Sequence, residues 1–363
     1  MKKGLFFLLL FLSGTLAAQP KPPAWAAELP AYEAYVQQWM RDNHVPGLTI
    51  GFTRGDLTWV KAFGLADVEN GLPMRIDSAY RYASLQKTMT AVAVLQLAEQ
   101  KKLDLDADIR TYVPQYPAKP YTITARQLLS HLGGVPHYVN RPVEQHIKVH
   151  KTTAETIAIF ANFDLVAEPG TRFHYSTYGY NLLGAAIENI TGQSYGDYMR
   201  DHVWRPAGML DTRMDDPEEL IPNRVRGYHL VDGKLRNSEF IDVSSRFAAG
   251  GTRGTVPDLL RFVRALHGNA LLTEPSRRLM TTPARTKSGE EIAYTMGWQI
   301  PPFENRGAIV VNDGGQQETR TFFIDDPEHD LTIAFAMNLE ADIYWPIVNR
   351  LYEVVQGHAL VMK

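Results

Sequence analysis

The sequence predicts an α+β protein in which an antiparallel sheet is flanked by helices, with a mainly helical lobe inserted at about residues 105–245. Two strand-like runs near the start, residues 48–53 and 57–63, are joined by the tight turn Arg54-Gly55-Asp56. Runs of the same kind return only late, after a long stretch of helical periods and loops with little strand signal. Neighbouring late runs are too close in sequence for crossover helices, which makes the pairing antiparallel. The two ends of the chain therefore share one sheet.

Taken in order, residues 30–43 carry Tyr32, Tyr35, Val36 and Trp39 three and four apart, the period of an amphipathic helix that stops before Pro46-Gly47. After the first two strands the chain winds through a loop to Asp77-Ser78-Ala79-Tyr80-Arg81. Residues 89–98 are then almost wholly apolar without Gly or Pro, which predicts a helix buried on nearly all sides. Residues 103–108 suit a turn. A short helix follows at 123–131, capped by Thr124 and stopped at Gly133-Gly134. Tyr175 falls in a loop directly before another buried helix that starts near Leu182. Late strands are expected at 294–300, 308–311, 320–324 and 331–337, and a last helix at 345–354.

The chemistry-bearing stretch opens the buried helix at 89–98. Ser84 and Lys87 are three apart, so in helical geometry the amine lies beside the hydroxyl on one face. A lysine at a helix N-terminus opposes the helix dipole, and burial adds to that field. Both effects lower its pKa and favour a neutral amine able to take a proton from serine.

Composition excludes several classes. The chain has no cysteine, so disulfides, thiol catalysis and thiolate metal sites are out. A net charge of -3 with 21% charged residues carries no nucleic-acid footprint. Lys2 and Lys3 precede a short apolar run at residues 5–12, and Thr15, Ala17 and Ala18 follow. That is the pattern of an export signal at residues 1–18, cut after Ala17 or Ala18, which leaves no stable membrane anchor and a secreted or periplasmic protein. His146 and His150 are four apart with Glu144 nearby, yet no third ligand accompanies them, so neither a metal nor a cofactor is expected. His131 and His137 read as structural residues flanking the Gly-Gly turn.

Several landmarks in order resemble the serine beta-lactamase-like family of class C beta-lactamases, D-Ala-D-Ala carboxypeptidases, D-aminopeptidases and esterases. They are Pro46-Gly47-Leu48, Gly64-Leu65-Ala66-Asp67, Ser84 with Lys87, Leu128-Leu129-Ser130-His131, Tyr175-Ser176 with Gly179-Tyr180, Ala249-Gly250-Gly251 and Gly297-Trp298. Tyr175-Ser176-Thr177, together with residues 131–138, most resembles the mitochondrial serine beta-lactamase-like branch and its bacterial relatives. The resemblance implies a beta-lactamase/transpeptidase-like fold and one hydrolase domain over residues 19–363. It implies that Ser84 forms an acyl-enzyme with a small-molecule or peptide acyl substrate while Lys87 and Tyr175 share the base role. It also aligns Asn312-Asp313-Gly314-Gly315 with the family's third motif, so that the amides of Ser84 and Gly315 form the oxyanion hole.

Departures from the family pattern fall at the expected substrate-binding positions Thr177, Asn312, Asp313 and Gly314. Asn312 replaces an ionisable residue, Asp313 stands where a small hydroxyl is usual, and Thr177 takes the place of an Asn. The more negative field expected there penalises a substrate carboxylate, which predicts weak or absent beta-lactamase activity and a preference for neutral or amine-bearing esters or amides. Glu318 stands where glycine frequently follows, so the strand is expected to bend differently. A chain that kept the fold for binding or assembly after losing catalysis is the competing function class, and it would not label with a fluorophosphonate.

Overall fold

The computed structural model describes residues 23–363, so the expected export signal lies outside the described residues. Helix α1 (Leu29–Asp42) buries Tyr32, Val36, Trp39 and Met40 on one stripe. Strand β1 (Gly47–Arg54) turns through Gly55 into β2 (Leu57–Asp67), with Gly47 opposite Gly64 and Arg54 opposite Leu57. The short strands β3 (Leu72–Pro73) and β4 (Tyr80–Arg81) follow. Helix α2 (Gln86–Glu99) is buried on nearly every side, as its composition requires. Two of its polar side chains donate inside the core: Thr88 to the Gly297 carbonyl at 2.6 Å and the Gln86 amide to the Tyr195 hydroxyl at 3.0 Å.

The helical region holds α3 (Ala125–Leu129), α4 (Arg141–Glu144), α5 (Thr153–Phe160), α6 (Thr177–Thr191) and α7 (Tyr195–Met199). Thr124 caps α3 in a reciprocal box with Gln127. Beyond these lie β5 (Arg213–Met214), the hairpin β6 (Tyr228–Val231) and β7 (Lys234–Asn237), α8 (Phe247–Gly250), β8 (Thr252–Gly254), α9 (Val256–His267) and α10 (Glu274–Thr281). The chain closes with β9 (Val310–Gln316), β10 (Thr319–Asp326), β11 (Leu331–Met337) and α11 (Trp345–Gln356).

All six strands of the main sheet, in the order β3-β2-β1-β11-β10-β9, pair antiparallel. Strands β1 and β11, from opposite ends of the chain, are central neighbours in register from Leu48 against Met337 to Arg54 against Leu331. Side chains alternate between two cores. Leu48, Ile50, Phe52, Ile333, Phe335 and Met337 meet α1 and α11, while Ala334 and Ala336 face α9. Small residues on that second face let α9 lie close, and the turn at Ala83–Leu85 that leads into α2 lies against the edge strand β9.

Two expectations need correcting. Residues 294–300 do not form a strand: Gly297 has φ +87, the Thr295 amide bonds back to the Trp298 carbonyl, and only isolated bridges flank the turn. Gly297 lies too close to the backbone of α2 for a side chain, so the segment folds against that helix. The hairpin β6–β7 sits in a stretch read as helix or loop. Its turn, Asp232-Gly233, has positive φ at both residues, and Asp-Gly is a hairpin signal that the sequence did contain.

Candidate active site

A one-turn 3-10 helix, Ala83–Leu85, leads into α2 and presents Ser84. Ala83 is held at φ +49, a left-handed conformation uncommon for a residue with a side chain. The turn is anchored from behind by the Thr321 hydroxyl of β10, which donates to the Tyr82 carbonyl at 2.8 Å. Ser84 is thereby fixed at the mouth of a cleft.

The Lys87 amine donates to Ser84 Oγ at 2.9 Å and to the Ala249 carbonyl at 2.9 Å. Burial pulls the Lys87 pKa down to about 7, with Asp313 opposing the fall and Arg246 adding to it. A neutral amine at this distance carries a lone pair that can accept the serine proton. The Tyr175 hydroxyl donates to the same Ser84 Oγ at 2.6 Å from the loop just before α6. Burial raises the Tyr175 pKa, so the phenol keeps its proton where the lysine can release its own. Two titratable groups on one oxygen are thus pushed in opposite directions.

His131 and His137 fix the tyrosine loop. His131 packs on the Tyr175 ring at 4.4 Å between centroids, and its Nδ1 accepts the Ser176 amide at 3.1 Å. His137 Nδ1 accepts the Thr177 amide at 3.1 Å. Burial, followed by the charge of Lys87, lowers both imidazole pKa values, that of His137 to about 3. Neutral rings are what an accepting Nδ1 needs.

Strand β9 is the sheet edge beside this serine, and the third-motif residues alternate along it. Asn312 is buried and turned away from the cleft, donating to Thr88 Oγ1 at 2.8 Å, the Gly297 carbonyl at 3.2 Å and the Ser84 carbonyl at 3.3 Å. It clamps the sheet edge to α2. The Asp313 carboxylate is held by the Gln299 amide, and neither Asn312 nor Asp313 is on the cleft wall. Gly314 faces the nucleophile turn, where a Cβ would come within 2.4 Å of the Tyr82 carbonyl and 3.1 Å of the Ser84 amide. Gly315 and Thr177 do line the cleft. Gly314→Ala should therefore push β9 off the serine, with a stability loss of about 1–3 kcal/mol by overpacking and a far larger loss of activity. A near-normal melting temperature with full activity would contradict this.

Glu318 answers its own expectation. It takes the left-handed conformation of the β9–β10 turn, φ +79, that glycine would otherwise supply. Its carboxylate is tied to Arg253 at 2.6 Å and Arg81 at 3.4 Å, and both arginines also bind the buried Asp215. Those ion pairs hold the turn without glycine. The His146 and His150 pattern does not converge: His146 pairs with Glu239, and Glu144 turns inward to the Val139 and Asn140 amides and the Tyr178 hydroxyl.

The beta-lactamase family model matches residues 32–344. The chain belongs to the beta-lactamase family. It is 31% identical over 297 residues to the human mitochondrial serine beta-lactamase-like protein LACTB, an alignment covering 62% of this chain and 53% of the relative. The chain thus spans about half the length of that relative. The octameric penicillin-binding protein homologue of Pyrococcus abyssi superposes with a TM-score of 0.78 at 25% identity, covering 92% of this chain and 78% of the other. The D-amino acid amidase of Ochrobactrum anthropi SV3 shares the fold with a TM-score of 0.78 at 24% identity, over 91% of this chain and 99% of the amidase.

Within this beta-lactamase-family fold, the cleft holds about 290 Å³. Its walls include residues that the sequence reading passed over, among them Gln145, Arg246, Gln316, Gln317, Arg320 and Glu340. Gln316 and Gln317 directly follow the third-motif residues 312–315, and Arg246 stands three residues before Ala249-Gly250-Gly251; Gln145, Arg320 and Glu340 have no such landmark beside them. Tyr175 also lines a second, apolar pocket of about 540 Å³, walled further by Phe173, Tyr294, Phe303, Tyr344 and Trp345.

Proposed function

We propose that this protein is a serine hydrolase that forms an acyl-enzyme on Ser84 with an ester or amide substrate. The observation that carries the reading is the approach of Lys87 Nζ and the Tyr175 hydroxyl to one oxygen, Ser84 Oγ, at 2.9 and 2.6 Å. The neutral Lys87 amine takes the Ser84 proton as Oγ bonds to the acyl carbon, and the carbonyl oxygen becomes negative against the amides of Ser84 and Gly315. Tyr175 passes its proton to the leaving group as that bond breaks and regains one from Lys87. In the second half, water takes the place of the leaving group and the same pair removes its proton, releasing the acid and free Ser84.

Turnover of carboxylated beta-lactams is expected to be weak or absent. The third-motif positions that the family resemblance associates with a cation and a small hydroxyl are here Asn312, engaged with α2, and Asp313, engaged with Gln299. Export belongs to the same reading and rests on the pattern of residues 1–18.

The test is to incubate the protein with p-nitrophenyl esters, D-amino-acid amides, nitrocefin and a fluorophosphonate, following turnover and intact mass. An acyl or phosphonyl mass on Ser84 with ester or amide turnover is the expected result. An inert protein across the whole panel would end the hydrolase reading, and nitrocefin turnover matching that of a short ester would end the beta-lactam expectation. Tyr175→Phe should lower acyl transfer by about 100-fold while Ser84 still labels slowly, since proton relay is worth roughly 10²–10⁴-fold. Unchanged kinetics in that variant would remove Tyr175 from the mechanism.

A further inference from the structure

Arg246 is a buried cation in the cleft for which no carboxylate is provided among the described residues. The residue is 5% exposed and lines the cleft with Ser84. Its guanidinium donates to the Gln145 carbonyl at 3.1 Å and to Gln316 Oε1 at 3.4 Å, lies 5.6 Å from the Tyr138 ring centroid, and leaves Nε without a partner. The other charges near it are committed. Arg320 pairs with Asp342 at 2.5 Å, Glu340 accepts from Ser238 and from the Glu318 amide, and Glu144 is occupied by two amides and Tyr178. Burying a charge with unmet donors is costly, and a guanidinium fork matches the two oxygens of a carboxylate.

The position of Arg246 says which part of a substrate would reach it. Tyr175 lines both cavities while its hydroxyl meets Ser84 Oγ, so the apolar pocket is the neighbouring space for a leaving group that takes the Tyr175 proton. The acyl part then lies on the other side, along β9 past Gly315, where Gln316 meets Arg246. From these contacts we propose that Arg246 binds a carboxylate carried by the acyl part of the substrate, opposite an apolar leaving group. The proposal rests on the hydrolase reading for the direction of the substrate. It reverses the preference for neutral or amine-bearing substrates expected from Asn312 and Asp313, because neither of those side chains is on the cleft wall while Arg246 is.

The test compares the mono-p-nitrophenyl ester of adipic acid with its methyl-capped neutral counterpart, for wild type, Arg246→Gln and Arg246→Lys. Wild type should favour the anionic ester by at least about tenfold in kcat/KM, Arg246→Gln should erase that preference, and Arg246→Lys should restore part of it. Equal loss on both esters in Arg246→Gln, or no preference in wild type, overturns the proposal. Calorimetry of monomethyl adipate with the Ser84→Ala protein, with and without Arg246→Gln, reads the site without catalysis. If a fluorophosphonate fails to label wild type but the monoanion binds and Arg246→Gln abolishes binding, the hydrolase reading falls and the anion site stands. Labelling of Ser84 with neither binding nor preference leaves the hydrolase reading intact and removes the anion site.

Discussion

Replacing Ser84 with alanine is expected to abolish covalent labelling by a fluorophosphonate and to cut ester turnover by about 10⁴-fold or more. Groups that act as a unit lose nearly the whole effect when the nucleophile goes, and what remains comes from binding and the oxyanion site. The Ser84 side chain accepts from Lys87 and Tyr175 but supports no packing, so the fold should survive the change. Intact-mass spectrometry after exposure to substrate and probe checks it directly. A Ser84→Ala protein that still gains the acyl mass would place the nucleophile elsewhere.

The second large effect concerns Lys87, where activity and stability should move in opposite directions. Wild-type kcat/KM is expected to climb about tenfold per pH unit below the lysine pKa, near pH 7, and to level off above it, because only the neutral amine accepts the serine proton. Lys87→Met should lose roughly 10³-fold or more in turnover and the pH dependence with it. The same substitution should raise stability. A buried amine with a lowered pKa makes the unfolded state bind more protons between about pH 7 and the ordinary lysine value, so wild-type stability rises with pH across that window. The penalty is largest at and below neutral pH, where removing the amine is worth a few kcal/mol. Loss of donors to Ser84 and the Ala249 carbonyl returns about 1 kcal/mol each, leaving a net gain of roughly 2 kcal/mol. Urea or thermal melts at pH 6 and pH 9 measure it: the gain should be larger at pH 6. A destabilised, pH-insensitive Lys87→Met would mean that the amine is charged and held by its partners.

What was legible beforehand depended on whether a residue's partner is close in sequence. The Ser84 and Lys87 contact follows from one helical turn, and the Thr124 cap and the stripe of α1 follow from the same period. Tyr175 could be placed before a helix, and the family resemblance supplied its pairing with Ser84. The segment 294–300 has apolar and β-branched residues that read as a strand, yet Gly297 against α2 turns it back. That outcome depends on a helix far away in sequence.

By itself the sequence determined the antiparallel α+β class, the absence of thiol chemistry, the buried helix and a serine with an amine one turn away, because periodicity and composition act locally. Which charged side chains line the cleft depends on packing between distant segments. Asn312 and Asp313, neighbours on one strand, are both drawn off the cleft by partners from other segments, Thr88, Gly297 and Gln299. Arg246, with no motif to announce it, is brought onto the wall beside β9. A side chain's reach is a few ångströms, and which distant backbone comes within that reach is set by how sheet and helices pack, so the residues that line the cleft could not all be read along the chain.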